Sequence, residues 1–250
     1  MTLSRADLET LTATHVRDAI PSEPLAAALS SPPFITTRSL VNVRDLGAVP
    51  GSAIRPGRIF RSGMLDAAAA DPEALAWLAA NVGTVFDLRS ERERAGYPSP
   101  EVPGVKFIFY EPDGSYSGSP DPAVFAVDDG STAWREQLLA VARAYKPTIR
   151  AVLEHTLAGT EQPDVVFDYM LSRIGTEQAR DRLVVFIKTA LGVDDPETPG
   201  FWNMASLRPT FWEAFVEGVD AEFGGWDGYV TKALGFSADD LETIKKNLRA

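Results

Sequence analysis

The first half of the chain alternates helical patterns with short apolar runs. Apolar residues recur at helical spacing over residues 3–29, which predicts one or two helices, and again over residues 71–80, where Asp71-Pro72 supplies a helix start. Around these patterns, runs rich in Val, Ile and Phe are bounded by Gly or Pro, as is typical of buried strands. The four predicted strands cover residues 40–46, 58–61, 84–88 and 105–110.

The second half is almost wholly helical in pattern, after a polar stretch at residues 111–132 that is typical of a functional surface loop. Because strands separated by a helix favour right-handed crossovers, we expect an α/β fold, a mostly parallel sheet flanked by helices with a helical C-terminal half. We expect residues 1–33 to form an N-terminal helical extension and residues 34–250 a single domain. The predicted helices of the second half cover residues 134–157, 165–191, 208–223, 226–234 and 238–248, with Gly159, Gly192, Gly224 and Gly235 as candidate C-caps.

Composition narrows the function classes. The chain carries 35 Asp plus Glu against 24 Lys plus Arg, and this net charge of −11 would repel nucleic acid and anionic membrane surfaces. Residues 1–20 lack a signal-peptide pattern, and no apolar run reaches the roughly 18 residues of a membrane span, so we expect a cytoplasmic protein. The chain has no cysteine, which excludes disulfides, Cys-ligated zinc, iron–sulfur clusters and a thiol nucleophile.

Three motifs accompany the predicted strands. They read NVRDLG at residues 42–47, RPGRIFRSG at residues 55–63 and FDLRSERE at residues 86–93. In this order they resemble the motifs of the tyrosine/serine protein phosphatase family, within the protein tyrosine phosphatase superfamily. The resemblance continues through residues 168–177 and 223–237, so that it extends over nearly the whole chain and implies a phosphatase-like fold.

One piece of the family pattern is missing, namely a strand ending in His-Cys, a loop that closes on Arg, and the helix that follows. The resemblance implies that the thiolate attacks phosphorus there, while the loop and its Arg hold the phosphate oxygens. By the family pattern, roughly two to three dozen residues are absent between Pro163 and Asp164. Losing that strand vacates core space, and we expect residues 165–191 to refill it, with the apolar run at residues 184–187 buried.

Charged residues lie at the ends of the predicted strands, where ligand crevices form in open α/β sheets. The resemblance implies that Asp87 is a candidate general acid, and that Arg44, Asp45, Arg61 and Arg89 border a site for an anion or another ligand. The alternative is structural, because Arg and Asp side chains at strand ends also pair with each other and orient loops.

Together, the resemblance and the missing loop predict a tyrosine phosphatase family protein without thiol-dependent activity, acting as a pseudophosphatase or binding module. Its partner would be a phosphorylated or anionic small ligand, or a protein. Two alternatives stay open, a repurposed enzyme acting on a small metabolite in the residual crevice, and a truncated form of an active phosphoric monoester hydrolase. We expect no cofactor and no metal, because adjacent acids such as Asp128-Asp129 are typical of solvated turns.

Overall fold

Helices and two small sheets form an α/β arrangement in the computed structural model. The structure describes residues 3–52, 54–113, 121–155 and 165–249. The predicted junction between Pro163 and Asp164 lies outside the described residues. Within these ranges, no helix combines the length and the apolar character that crossing a membrane requires.

All four predicted strands form, but their pairing differs from the expectation. Strand β1 (Val41–Asp45) pairs antiparallel with β2 (Phe60–Gly63), and β3 (Thr84–Asp87) pairs parallel with β4 (Lys106–Phe109). The described strands therefore make two two-stranded sheets, and a mostly parallel sheet is not confirmed.

The connections explain this pairing. Parallel strands need a crossover, which is usually a helix, whereas antiparallel strands can be joined directly. Helix α4 (Glu91–Gly96) lies between β3 and β4, while the described residues between β1 and β2 form a single 3-10 turn, Leu46–Ala48. The predicted helix at residues 71–80 comes after β2 and so cannot serve the first pair.

Several predicted helix ends agree with the structure, but the helices predicted over residues 134–157 and 165–191 are each divided into two helices. Asp71 caps the helix that follows it, since its carboxylate accepts from two backbone N–H groups of the first turn. Gly192 and Gly224 adopt left-handed backbone conformations, with φ of +64° and +76°, and end α8 (Arg180–Leu191) and α10 (Pro209–Phe223). Gly159 lies outside the described residues.

The α-helices other than α4 are α1 Arg5–Thr12, α2 Ser22–Leu29, α3 Pro72–Asn81, α5 Ser131–Ala144, α6 Lys146–His155, α7 Val165–Gly175, α8 Arg180–Leu191, α9 Phe201–Ala205, α10 Pro209–Phe223, α11 Gly225–Gly228 and α12 Ala238–Arg249, with a π-helix at Tyr229–Ala233.

Helix α7 lies at the centre of the described fold. Its residues Leu171 and Ile174 are fully buried in a cluster with Leu8 of α1 and Ala28 of α2. The same helix also contacts β1 and α10. A second cluster joins α5, α10 and α12, and a third packs α3 against β1. Because α7 contacts elements from both halves of the chain, it connects the N-terminal helices, the first sheet and the helical C-terminal half.

The burial expected of residues 165–191 is confirmed over α7 and wrong over α8. The run at residues 184–187 lies on α8, where Val185 is 62% exposed and Phe186 is 40% exposed. Four consecutive residues cover a full turn of a helix, so a helix packed on one side must turn some of them outward. The apolar run predicted a buried segment. In the structure, α8 is only half-buried, along one side of the helix.

Candidate functional site

The guanidinium of Arg44 is the most deeply buried charge among the predicted site residues. Its side chain is 0% exposed, and its Nε, Nη1 and Nη2 atoms all donate to protein oxygens. Nε donates to Asp168 Oδ1 at 2.9 Å, and Nη2 donates to the Asp168 carbonyl at 2.9 Å and to Ser172 Oγ at 3.1 Å. Nη1 donates to Asn42 Oδ1. Arg44 is thus held by β1 and α7 together.

Arg61 reaches the same carboxylate from the neighbouring strand. Arg44 and Arg61 are cross-strand partners in the β1–β2 pair, and Arg61 Nη1 donates to Asp168 Oδ2 at 3.0 Å. Its side chain is 43% exposed, whereas Asp168 is 8% exposed. Asp168 therefore bridges two arginines, and the more accessible one keeps part of its guanidinium toward solvent.

Backbone geometry around Asn42 allows β1 to lie close to α7. The β1–β2 register shifts between Val41 and Arg44, and Asn42 has a left-handed φ of +60°. Gly175 of α7 lies directly against it, and a Cβ on Gly175 would overlap the Asn42 amide. A glycine at the end of α7 is therefore what lets β1 approach closely enough for Arg44 to reach Asp168.

Asp45 serves the loop that follows β1. Its Oδ1 accepts from the Gly47 N–H at 2.9 Å, and its Oδ2 accepts from the Gly57 N–H at 2.7 Å. Both carboxylate oxygens are thereby directed at backbone, so Asp45 orders the connection from β1 to β2 in this structure.

Asp87 and Arg89 form a second, separate cluster at the end of β3. Arg89 Nε donates to Asp87 Oδ1 at 2.9 Å and Nη2 to Oδ2 at 2.7 Å, a bidentate pair, and Nη2 also donates to Ser99 Oγ at 2.7 Å. Burial acts to raise the pKa of Asp87, but the hydrogen bonds and charge of Arg89 outweigh it and hold that pKa below its ordinary value. The group is a carboxylate here, which opposes proton donation. No described hydrogen bond or ion pair joins this cluster to Asp168.

Asp168 and Ser172 are the site residues that sequence reasoning missed. The segment that contains them, residues 168–177, contributed to the family resemblance, but neither residue was predicted to belong to the site. Two signals are present in the sequence, an acid in the first turn of a helix and a hydroxyl four residues later on the same helical face. Neither signal specifies Arg44 as the partner, because the contact spans 124 residues of chain.

The environment of Asp168 makes the stability of the fold depend on pH. Burial acts to raise the pKa of Asp168, but hydrogen bonds and charge from Arg44, together with Arg61, hold it below the ordinary value of 3.8. A group with a lowered pKa in the folded state stabilises the fold above its unfolded pKa, and that contribution is lost as pH falls through the folded value.

We therefore expect the stability difference between wild type and Asp168→Asn to be largest at neutral pH and to shrink as pH falls below about 4. Urea unfolding followed by circular dichroism between pH 7 and pH 3 measures it. Asp181→Asn, at a side chain that is 91% exposed, is the matched control and should parallel wild type. A difference that stays constant across this range would contradict the assignment.

The described side chains do not assemble a metal centre, since no group of three or more His, Asp or Glu residues is placed to hold an ion. A cavity of about 560 Å³ lies between α1, α7 and the segment that links α9 to α10. None of the predicted site residues lines it. The predicted crevice and this cavity are therefore different places on the molecule.

Comparison with known proteins agrees with the motifs. No curated protein matches the chain. The family described as "Tyrosine phosphatase family" matches over residues 35–156 and again over residues 149–250. Since these two segments together span all but the first 34 residues, the chain belongs to the tyrosine phosphatase family.

Proposed function

We propose that this protein is a pseudophosphatase, a member of the tyrosine phosphatase family that binds a ligand or partner and does not perform thiol-dependent phosphoryl transfer. The observation that carries the proposal is the absence of cysteine from all 250 residues. A thiolate nucleophile requires the sulfur itself, and no other residue type supplies that chemistry.

The division of the family match supports the same proposal. The family is matched in two segments, and the end of the first and the start of the second lie at residues 149–156. A chain that lacks an internal piece of the family pattern would match in this way. The position is close to Pro163 and Asp164, where the motifs predict the missing loop.

Ion pairing of the remaining charges counts against catalysis by these residues. Arg44 and Asp168 satisfy each other inside the fold, and Asp87 is held as a carboxylate by Arg89. These are the contacts that the structural alternative predicts. In the proposal, Arg61 is the residue that binds an anion, because its side chain is 43% exposed. The anion would be a phosphorylated small ligand or a phosphorylated side chain of a partner protein.

We expect incubation with p-nitrophenyl phosphate to release p-nitrophenol no faster than a heat-killed sample does. Vanadate inhibits a contaminating thiol phosphatase, so it distinguishes p-nitrophenol released by such a contaminant from p-nitrophenol released by this protein. Arg61→Gln is the matched variant, since it alters this protein and not a contaminant. Turnover that resists vanadate and disappears in Arg61→Gln would overturn the proposal. The cytoplasmic location, the absence of cofactors and the domain boundaries stay predictions.

A further inference from the structure

The cavity beside α7 has an apolar body. Phe167 and Met170 of α7 form one wall, and Leu207, in the link between α9 and α10, forms another. Its volume of about 560 Å³ lies within the range of small-molecule sites, roughly 300–1,000 Å³. The cavity therefore has the size and lining to bury the apolar part of a small molecule.

The charges around this cavity are positive, in contrast to the rest of the chain. Three arginines line it, Arg5, Arg173 and Arg208, and Glu9, the acid among its lining residues, accepts from Arg5 Nε at 2.7 Å. The whole chain carries a net charge of −11. Positive side chains collected at an apolar cavity of an acidic protein favour an anionic ligand.

Arg208 is the cavity arginine that makes no ion pair within 4 Å among the described residues, although its charge also acts on the Asp129 carboxylate and its guanidinium lies 5.5 Å from the centre of the Phe211 ring. It donates to two uncharged oxygens, the Asp129 carbonyl at 3.0 Å and Asn203 Oδ1 at 2.9 Å. The Asp129 carboxylate accepts from the Thr210 hydroxyl at 2.6 Å. Arg173, by contrast, is buried and paired with Glu177. Arg208 therefore enters the cavity wall without an ion pair among the described residues.

His15 supplies a second donor at the same wall. Its Nδ1 accepts from the Arg17 backbone N–H at 3.1 Å, so the neutral ring carries its proton on Nε2. Burial and the charges of Arg208 and Arg17 lower the pKa of His15, Arg173 adds to this effect, and Asp18 opposes it. A negatively charged group bound in the cavity would raise the pKa of His15.

We propose that this cavity binds a medium-chain fatty acid, with the carboxylate at His15 Nε2 and Arg208 and the acyl chain against Phe167 and Met170. Charge-assisted hydrogen bonds from a guanidinium and an imidazole N–H hold the head group. Apolar side chains bury the chain. The proposal does not depend on the absence of phosphatase activity, since none of the residues named for that function lines the cavity.

Calorimetric titration with decanoate tests the site. We expect one saturable site per chain with a dissociation constant of about 1 mM or below, and binding of uncharged decan-1-ol weaker by about tenfold or more. Arg208→Gln should weaken decanoate binding by about tenfold. Arg92→Gln removes the same charge from an exposed position of α4 and should leave binding unchanged.

Two further measurements keep the test independent of how Arg208→Gln folds. Val16→Trp fills the cavity that Val16 lines and should abolish binding, whereas Val185→Trp, on the exposed side of α8, should not. The chain has two histidines, so proton NMR resolves His15 once His155→Gln assigns the signals. Decanoate should raise the pKa of His15. An unchanged His15 signal, equal binding of decan-1-ol, or full binding by folded Arg208→Gln would overturn the proposal.

Discussion

We expect Arg44→Met to lower the free energy of unfolding by about 3–5 kcal/mol, the cost of removing one partner from a buried ion pair. The variant leaves the Asp168 carboxylate, which is 8% exposed, with Arg61 alone. It also leaves Ser172 and Asn42 without the donor that each now accepts from. Urea unfolding at pH 7, followed by circular dichroism, measures the loss.

Three matched variants identify the cause of this loss. Arg61→Met removes the exposed arginine of the same carboxylate and should cost no more than about 1 kcal/mol. Arg44→Lys should recover little, because an ammonium cannot reproduce the forked contacts of the guanidinium. Arg44→Met combined with Asp168→Leu removes both buried charges and should regain at least half of the loss. If the double variant were as unstable as Arg44→Met, the loss of the buried partner of the Asp168 carboxylate would not be the cause.

The second large effect belongs to the packing of α7. We expect Leu171→Ala to lower the free energy of unfolding by about 2–5 kcal/mol, since it empties space in a core where Leu171 is 0% exposed. The neighbours that would have to collapse into the space include Leu8 of α1 and Ala28 of α2, which pack in the same cluster as α7. Urea unfolding followed by tryptophan fluorescence measures this change.

The matched control lies on α8. Val185→Ala removes apolar atoms from a side chain that is 62% exposed and should change stability by no more than about 0.5 kcal/mol. The contrast between the two helices tests whether α7 alone refills the core. Equal losses for Leu171→Ala and Val185→Ala would show that α8 is buried after all.

Local signals in the sequence predicted several helix ends correctly. Asp71 caps α3 as expected, and Gly192 and Gly224 end α8 and α10. The pairing of strands was harder, because it depends on which connection carries a helix. The burial of α8 was also wrong, since the apolar run of residues 184–187 does not reveal which face of a helix meets the core.

The candidate site was predictable in part. The motifs placed Arg44 and Arg61 near each other, and the register of β1 with β2 brings them together as cross-strand partners. The carboxylate between them was not predictable, because Asp168 arrives from a distant helix through tertiary packing. Asp87 and Arg89 are two residues apart, and there local sequence was sufficient to indicate a salt bridge.

The pair of Arg44 and Asp168 has a consequence for how the chain folds as a whole. Arg44 belongs to the first segment that matches the family, and Asp168 belongs to the second. Closing a contact over 124 residues costs chain entropy before it stabilises anything. In either segment alone, the charge would lack this partner. We therefore expect the two segments to unfold together in one transition.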